Sequence, residues 1–202
     1  MMAQDWRSLV IDYIRGEARP ADKFGHQPRI YALATEIGKG MRYDDDVLFA
    51  AAWMHDLGVF LGHRPQDPGQ LSSWNHVPYT IQRSRELLSD FGFPLAKLDA
   101  VAEAILHHQP QDEPTTVEAT LLRDSDILEQ LGAIAVPRTA AKVGRDTRFP
   151  TFSSILPVLN YAVNHLANQA CLKQTKVMAQ PRVEVLRSFL AALENEARDQ
   201  LY

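Results

Sequence analysis

Apolar residues recur every three to four positions along most of this chain. That spacing places them on one face of an α-helix, whereas the strict alternation of a half-exposed strand does not persist beyond a few residues. The predicted helices span residues 6–14, 30–37, 47–57, 77–88, 95–106, 117–131, 155–172 and 183–193. We therefore predict an all-α fold, a bundle of about eight to ten helices.

Signals for helix starts agree with this pattern. Three consecutive acidic residues, Asp44, Asp45 and Asp46, precede the apolar run at 47–54 and place negative charge at the positive end of a helix. Thr115 or Thr116 is suited to cap the helix that follows. The connection at 58–73 contains two prolines and three glycines, and its length favours a lid.

Length and composition indicate one compact domain. The 202 residues are 46% hydrophobic and 23% charged, which is ordinary for a globular protein. We expect a single domain over residues 1–202, with a core at about 20–140 and a C-terminal helical hairpin at about 152–200.

Charge and cysteine content exclude several classes of protein. A net charge of −4 gives no general basic face, so no stable nucleic-acid partner is expected. The longest apolar run is far shorter than the ~20 residues that span a bilayer, so we expect no membrane span. The single cysteine, Cys171, excludes an internal disulfide, and its apolar neighbours predict that it is buried. Without a secretory segment near Met1, the expected location is the cytoplasm. The sequence leaves open whether the protein forms a homodimer.

The strongest local feature is a fully apolar helical segment that is followed directly by two ionisable residues. Residues 47–54 are apolar on every face, as in a fully buried helix, yet His55 and Asp56 follow directly. Because burying an unpaired carboxylate costs several kcal/mol, this pair needs a compensating charge, which a bound metal ion can supply. Gly58 can end the helix and leave the pair beside a pocket.

Further histidines and an aspartate occupy comparable places on other predicted helices. His26 precedes the helix at 30–37, His107 and His108 close the helix at 95–106, and Asp124 lies in the helix at 117–131. Imidazole together with carboxylate suits Mn, Fe, Ni, Co or Zn better than calcium. The pattern thus favours a divalent-metal site in an all-helical protein.

These residues resemble the HD-domain (His-Asp) phosphohydrolases, in which a histidine, an adjacent His-Asp pair and a distant aspartate meet on one metal. The matching residues here are His26, His55, Asp56 and Asp124. The segment at 124–134 also resembles the "DADxLDAIGAIG" segment of small stand-alone bacterial members, and Arg138 falls where those carry arginine. The resemblance covers roughly residues 20–140.

The resemblance implies a single HD domain that hydrolyses a phosphate ester or anhydride of a small metabolite, a nucleotide in particular. The implied cofactor is a divalent metal (Mn, Mg, Fe, Ni, Co or Zn) held by the four matching residues, with Asp56 also orienting or deprotonating the attacking water. Arg29, three residues after His26, and Arg138 are the candidate phosphate contacts. His76 and His108 lie where some HD enzymes place two more histidines, for substrate phosphate or a second metal.

Two departures from the family pattern change the expected mechanism. Val59 replaces the acid that some HD nucleotidases use as general base, and the lysine of the familiar "HDIGK" motif is absent. The base is then Asp56 or a water held by His108. Two alternatives stay open: a two-metal phosphodiesterase that uses His76 and His108, and a non-catalytic sensor that binds a nucleotide or metal.

Overall fold

The computed structural model describes residues 5–146, 148–198 and 200–201, and this part of the chain consists of helices joined by turns and loops, with no β-strand. A single isolated bridge joins Leu61 and Arg64. This confirms the predicted all-α class. No described helix combines the length and the apolarity needed to cross a membrane.

The chain divides into two compact units, Met1–Ser125 and Asp126–Tyr202. Short 3-10 turns lie at Ala21–Lys23, Leu57–Val59 and Leu95–Lys97 in the first unit. Its helices are α1 (Trp6–Glu17), α2 (His26–Ile37), α3 (Asp45–Met54), α4 (Pro68–Ser72), α5 (His76–Asp90) and α6 (Leu98–Leu106), followed by α7 (Val117–Glu129), which ends in the second unit. The single-domain organisation, with its core at 20–140 and its hairpin at 152–200, stays a prediction.

Helix α3 lies at the centre of the first unit. The Asp44 side chain caps it by accepting hydrogen bonds from the backbone N–H groups of Asp46 and Val47. Every residue from Val47 to Met54 is buried, as the all-round apolar pattern predicts. Helices α1, α2, α5 and α6 all pack against α3. The residues that directly follow Met54 therefore begin in the interior of the first unit.

The N-terminal end of α3 is held by a network of charged side chains. Lys97 Nζ lies 2.8 Å from carboxylate oxygens of both Asp44 and Asp46, and Arg7 Nη2 lies 2.6 Å from Asp46. Arg7 also reaches Asp45 at 2.9 Å. Hydrogen bonds from Lys97 and Arg7 lower the pKa of Asp46. The network ties α1 and the turn before α6 to the start of α3.

The second unit departs from the predicted helix boundaries. The predicted helix at 155–172 is a succession of short pieces: a 3-10 turn (Ser153–Ile155), α9 (Leu156–Tyr161), a π-helical stretch (Ala162–Leu166) and α10 (Ala167–Gln169). A short α8 (Ala135–Ala140) precedes them, and α11 (Lys173–Ala197) follows. Helix α11 runs through Pro181, so the predicted span at 183–193 was too short.

The predicted burial of Cys171 is wrong, because its side chain is exposed. Helix α10 ends at Gln169, and Ala170 adopts an extended backbone with ψ of 135°. The break carries Cys171 away from the apolar face on which a continuous helix would have placed it.

We predict that Leu88→Ala lowers the free energy of unfolding by about 2–5 kcal/mol, because it leaves a cavity in the core. Leu88 is 0% exposed, whereas Leu95 is 65% exposed. The matched variant Leu95→Ala should change stability by less than about 0.5 kcal/mol. Urea denaturation followed by circular dichroism measures both, and equal losses would contradict the assigned core.

Candidate metal centre

His55 and Asp56 are the first residues after α3, because the helix ends at Met54 rather than at residue 57 as the sequence predicts. The His55 side chain is completely buried, and its Nδ1 lies 3.0 Å from the backbone oxygen of Ala52. A proton on Nδ1 that is donated to this carbonyl leaves Nε2 as the atom with a lone pair. Local helix geometry thus fixes the tautomer that a metal ligand requires.

His26 brings a second imidazole to the same point. It lies in the first turn of α2 rather than before the helix, and it is 4% exposed. Its Nε2 is 3.2 Å from Nε2 of His55 and 3.6 Å from Oδ2 of Asp56. His26, His55 and Asp56 form the first triad, whose ligand atoms all lie within 4.8 Å of one another.

A second triad shares the same carboxylate. It consists of Asp56, His76 and His108, again with ligand atoms within 4.8 Å of one another. His76 lies in the first turn of α5, and its Nε2 is 3.5 Å from Oδ1 of Asp56. His108 follows α6, is 2% exposed and places Nδ1 2.6 Å from the Ile105 carbonyl oxygen. Its tautomer is therefore set in the same way as that of His55.

Asp56 is the common member of both triads, and its electrostatics follow from its neighbours. Burial raises the pKa of this carboxyl, but electrostatic interactions with His55, His26, His76 and His108 outweigh it and hold the pKa well below the usual range. The side chain keeps 21% of its surface exposed. Asp56 is thus an ionised carboxylate that a ligand from solvent can reach.

Asp124 lies in α7 and is 0% exposed, but it is not a member of either triad. Nη1 of Arg123 lies 3.5 Å from its Oδ1, and Arg123 is itself 5% exposed. The role of Asp124 as a metal ligand stays a prediction. Sequence reasoning missed Arg123, although adjacent opposite charges on a largely apolar helix are a usable signal.

The predicted phosphate contacts lie in different units. Arg29 lies in the first turn of α2, and its guanidinium lies against Gly25. A Cβ added at Gly25 would be only 2.8 Å from Nη1 of Arg29. Arg138 lies in α8 of the second unit, where its Nη1 contacts Glu129 Oε2 at 3.0 Å. Contact of either arginine with substrate stays a prediction.

The remaining histidines of the first unit are engaged elsewhere. His63 lies between the Tyr79 hydroxyl, 2.8 Å from Nδ1, and Glu17, 3.0 Å from Nε2. His107 lies 3.3 Å from Glu103. Neither residue belongs to a triad. The connection at 58–73 is partly helical, because it contains part of the 3-10 turn Leu57–Val59 and all of α4.

The chemistry of the two triads fits a divalent transition metal. Four imidazoles and one ionised carboxylate form a mixed nitrogen and oxygen donor set, which suits Mn, Fe, Co, Ni or Zn better than calcium. Two facing Nε2 atoms 3.2 Å apart in a buried position cannot both present lone pairs without a proton or a cation between them. His26, His55 and Asp56 are therefore placed to hold a metal ion.

Comparison with known proteins places this site in a family context. The family model of the HD domain matches residues 24–131, which is more than half of the chain and includes all members of both triads. No curated protein matches the sequence at significant similarity.

Several solved structures share the fold. Bacillus subtilis YpgQ superposes with a TM-score of 0.73 at 18% identity, covering 96% of both chains. The complex of YpgQ with ADP gives 0.68 at 20% identity, covering 96% of this chain and 98% of that one. An HD-superfamily hydrolase from Bacillus thuringiensis gives 0.64 at 18% identity, covering 96% and 97%. At these identities the likeness establishes the fold alone.

We predict that His55→Gln weakens binding of Mn²⁺ about 100-fold or more, because it removes a direct ligand of the first triad. The control is His63→Gln, which replaces another largely buried histidine of the same unit and should leave Mn²⁺ affinity unchanged. Titration calorimetry on the metal-free proteins compares them. Wild-type affinity in the His55→Gln protein would contradict the assigned triad.

Proposed function

Because the chain belongs to the HD-domain family, we propose that it is a divalent-metal-dependent phosphohydrolase. It hydrolyses a phosphate ester or anhydride of a small metabolite, and we propose nucleotides as the substrate class. The observation that carries this proposal is the ionised Asp56 carboxylate at the meeting point of two imidazole pairs. Solved HD-superfamily proteins that are described as hydrolases have the same fold and support it.

In this proposal His26, His55, Asp56 and Asp124 hold the metal ion. When bound, a divalent ion lowers the pKa of water and neutralises charge on phosphoryl oxygens. The first three residues already have their ligand atoms together. The carboxylate of Asp124 is fully buried, so a nearby cation in addition to Arg123 would offset the cost of that burial.

Asp56 orients the attacking water by accepting a hydrogen bond from it. Its strongly lowered pKa keeps the carboxylate ionised, but it also makes Asp56 a weak proton acceptor. We therefore assign proton removal to His108, whose Nδ1 contact with the Ile105 carbonyl leaves Nε2 as the basic atom. Val59 stands at the position of the acid that some HD nucleotidases use as general base, so this side chain cannot remove the proton here.

The charged phosphate of the substrate needs cationic partners at this site. Arg29 lies one helical turn from His26 on α2 and is only partly buried, so its guanidinium is the nearest candidate by sequence. His76 supplies a second hydrogen-bond donor beside Asp56, and Arg138 is proposed as a further contact. The solved complex of YpgQ with ADP supports a nucleoside phosphate as the ligand class.

The test is a turnover assay on nucleoside mono-, di- and triphosphates with Mn²⁺, Mg²⁺, Co²⁺ and Ni²⁺, measured as released phosphate. We expect metal-dependent turnover that chelation abolishes. The variant Asp56→Ala should reduce kcat by at least about 10³-fold, since it removes both a ligand and the group that orients water.

The matched control for this assay is Asp99→Ala, because Asp99 is a surface aspartate with a 91% exposed side chain. It should keep wild-type turnover. Full activity in the Asp56→Ala protein would refute the assignment, and tight nucleotide binding without turnover under any metal would favour a sensor.

A two-metal phosphodiesterase is the second candidate, and the sharing of Asp56 between two triads favours it. Asp56 would take part in holding both ions, each together with its own pair of imidazoles, and the ions would neutralise charge on the phosphoryl oxygens. In this arrangement His26 and His55 serve one ion, while His76 and His108 serve the other.

This second candidate predicts that the wild-type protein binds two Mn²⁺ ions per chain and that His76→Gln or His108→Gln reduces this number to one. The control is His107→Gln, since His107 contacts Glu103 and belongs to neither triad. Elemental analysis and titration calorimetry measure the stoichiometry. One ion per wild-type chain would exclude this candidate and leave the single-metal phosphohydrolase.

A further inference from the structure

Both polar groups of the Gly58 peptide unit are held by residues on either side of His76. The N–H of Gly58 donates to Oγ1 of Thr80 at 3.0 Å. The indole N–H of Trp74 donates to the carbonyl oxygen of Gly58 at 2.9 Å. The segment that follows Asp56 is therefore fastened at two points to the segment that carries His76.

The approach between these segments is close enough to require glycine. A Cβ added at Gly58 would lie 2.9 Å from the backbone oxygen of His76, 2.9 Å from Oγ1 of Thr80 and 3.0 Å from Cβ of His76. Contacts shorter than 3.0 Å to backbone atoms cannot be relieved by a side-chain rotation alone. Any larger residue at position 58 would thus push the start of α5 away.

The contacts made by Gly58 run alongside a contact made by Asp56. His76 and Thr80 are four residues apart on α5, so they project from the same face of the helix. Thr80 meets Gly58 at 3.0 Å, and His76 meets Asp56 at 3.5 Å. Because Thr80 is completely buried, no water competes for the Gly58 N–H.

We infer that Gly58, Thr80 and Trp74 form a backbone lock that positions His76 against Asp56. The lock contains no metal ligand and acts only through His76. It sets the separation of the two ligands on which the second triad depends. The inference deepens the proposed function of the same site, and its consequence for metal binding rests on the two-metal candidate.

The lock is tested first in the metal-free protein. Thr80→Val keeps the shape of the side chain but removes the acceptor of the Gly58 N–H, whereas Thr80→Ser retains it. The matched control is Ser84→Ala, one turn further along α5, because the Ser84 hydroxyl is equally buried and has no hydrogen-bond partner within the described chain.

We expect Thr80→Val to shift the ¹⁵N resonances of the His76 ring and to raise the exchange rate of the Gly58 amide at least tenfold. Thr80→Ser and Ser84→Ala should keep the wild-type values. Circular dichroism checks that all three variants are folded. Unchanged His76 resonances in a folded Thr80→Val protein would overturn the inference.

The consequence for metal binding is tested with Gly58→Ala, which also serves if Thr80→Val does not fold. The control is Gly16→Ala in α1, where an added Cβ meets nothing within 4 Å. We expect Gly58→Ala and Thr80→Val to weaken the second Mn²⁺ about 10–100-fold while the first binds normally. If Gly58→Ala and Thr80→Val bind each Mn²⁺ ion with the same affinity as Gly16→Ala does, the inference is also overturned.

The two readouts separate this inference from the proposed function. A wild-type protein that binds no metal would refute the proposed function, while the His76 resonances would still decide the lock. If the protein binds metal and turns over substrate, but Thr80→Val leaves the His76 resonances unchanged, the proposed function stands and the lock is refuted.

Discussion

The Asp56 carboxylate among four imidazoles is the interaction on which this site depends. Each imidazole comes from a different part of the first unit: His26 from α2, His55 from the end of α3, His76 from α5 and His108 from the end of α6. A carboxylate in the interior is stable only with opposite charge nearby. The helices must therefore pack closely around the end of α3 before the site exists, and the chemistry is coupled to the core.

Helix α3 links the packed core to the site, because its N-terminal end lies at the surface and its C-terminal end leads into His55 and Asp56. Its start is held at the surface by Arg7 and Lys97, which pair with the aspartates of its first turn. Its middle is buried on every side, and its far end presents His55 and Asp56. Residues that directly follow such a rigid element are held close to its buried end. The Gly58 lock extends the same principle to His76, which α3 does not carry.

The family model confirms the HD-domain assignment that the order His26, His55-Asp56 and Asp124 indicated. The family model covers all members of both triads, and their donor set fits a divalent metal. The number of metal ions depends on this chain's own residues. The sharing of Asp56 by two triads favours two ions, and with them a phosphodiester substrate. Arg138 in the second unit already makes a structural contact there, the ion pair with Glu129.

The sequence alone determined the helical class, the buried character of residues 47–54 and the conflict at His55-Asp56, because periodicity and adjacency are local properties of the chain. It could not determine which distant histidines reach Asp56. The family resemblance favoured His76 over His63, but only tertiary packing brings His76 to 3.5 Å from Asp56 and turns His63 toward Glu17 and Tyr79. Likewise, Cys171 has apolar neighbours in sequence, but the break after α10 exposes it. Metal ligands must converge within a few ångströms, and that convergence is a property of packed helices rather than of any single segment.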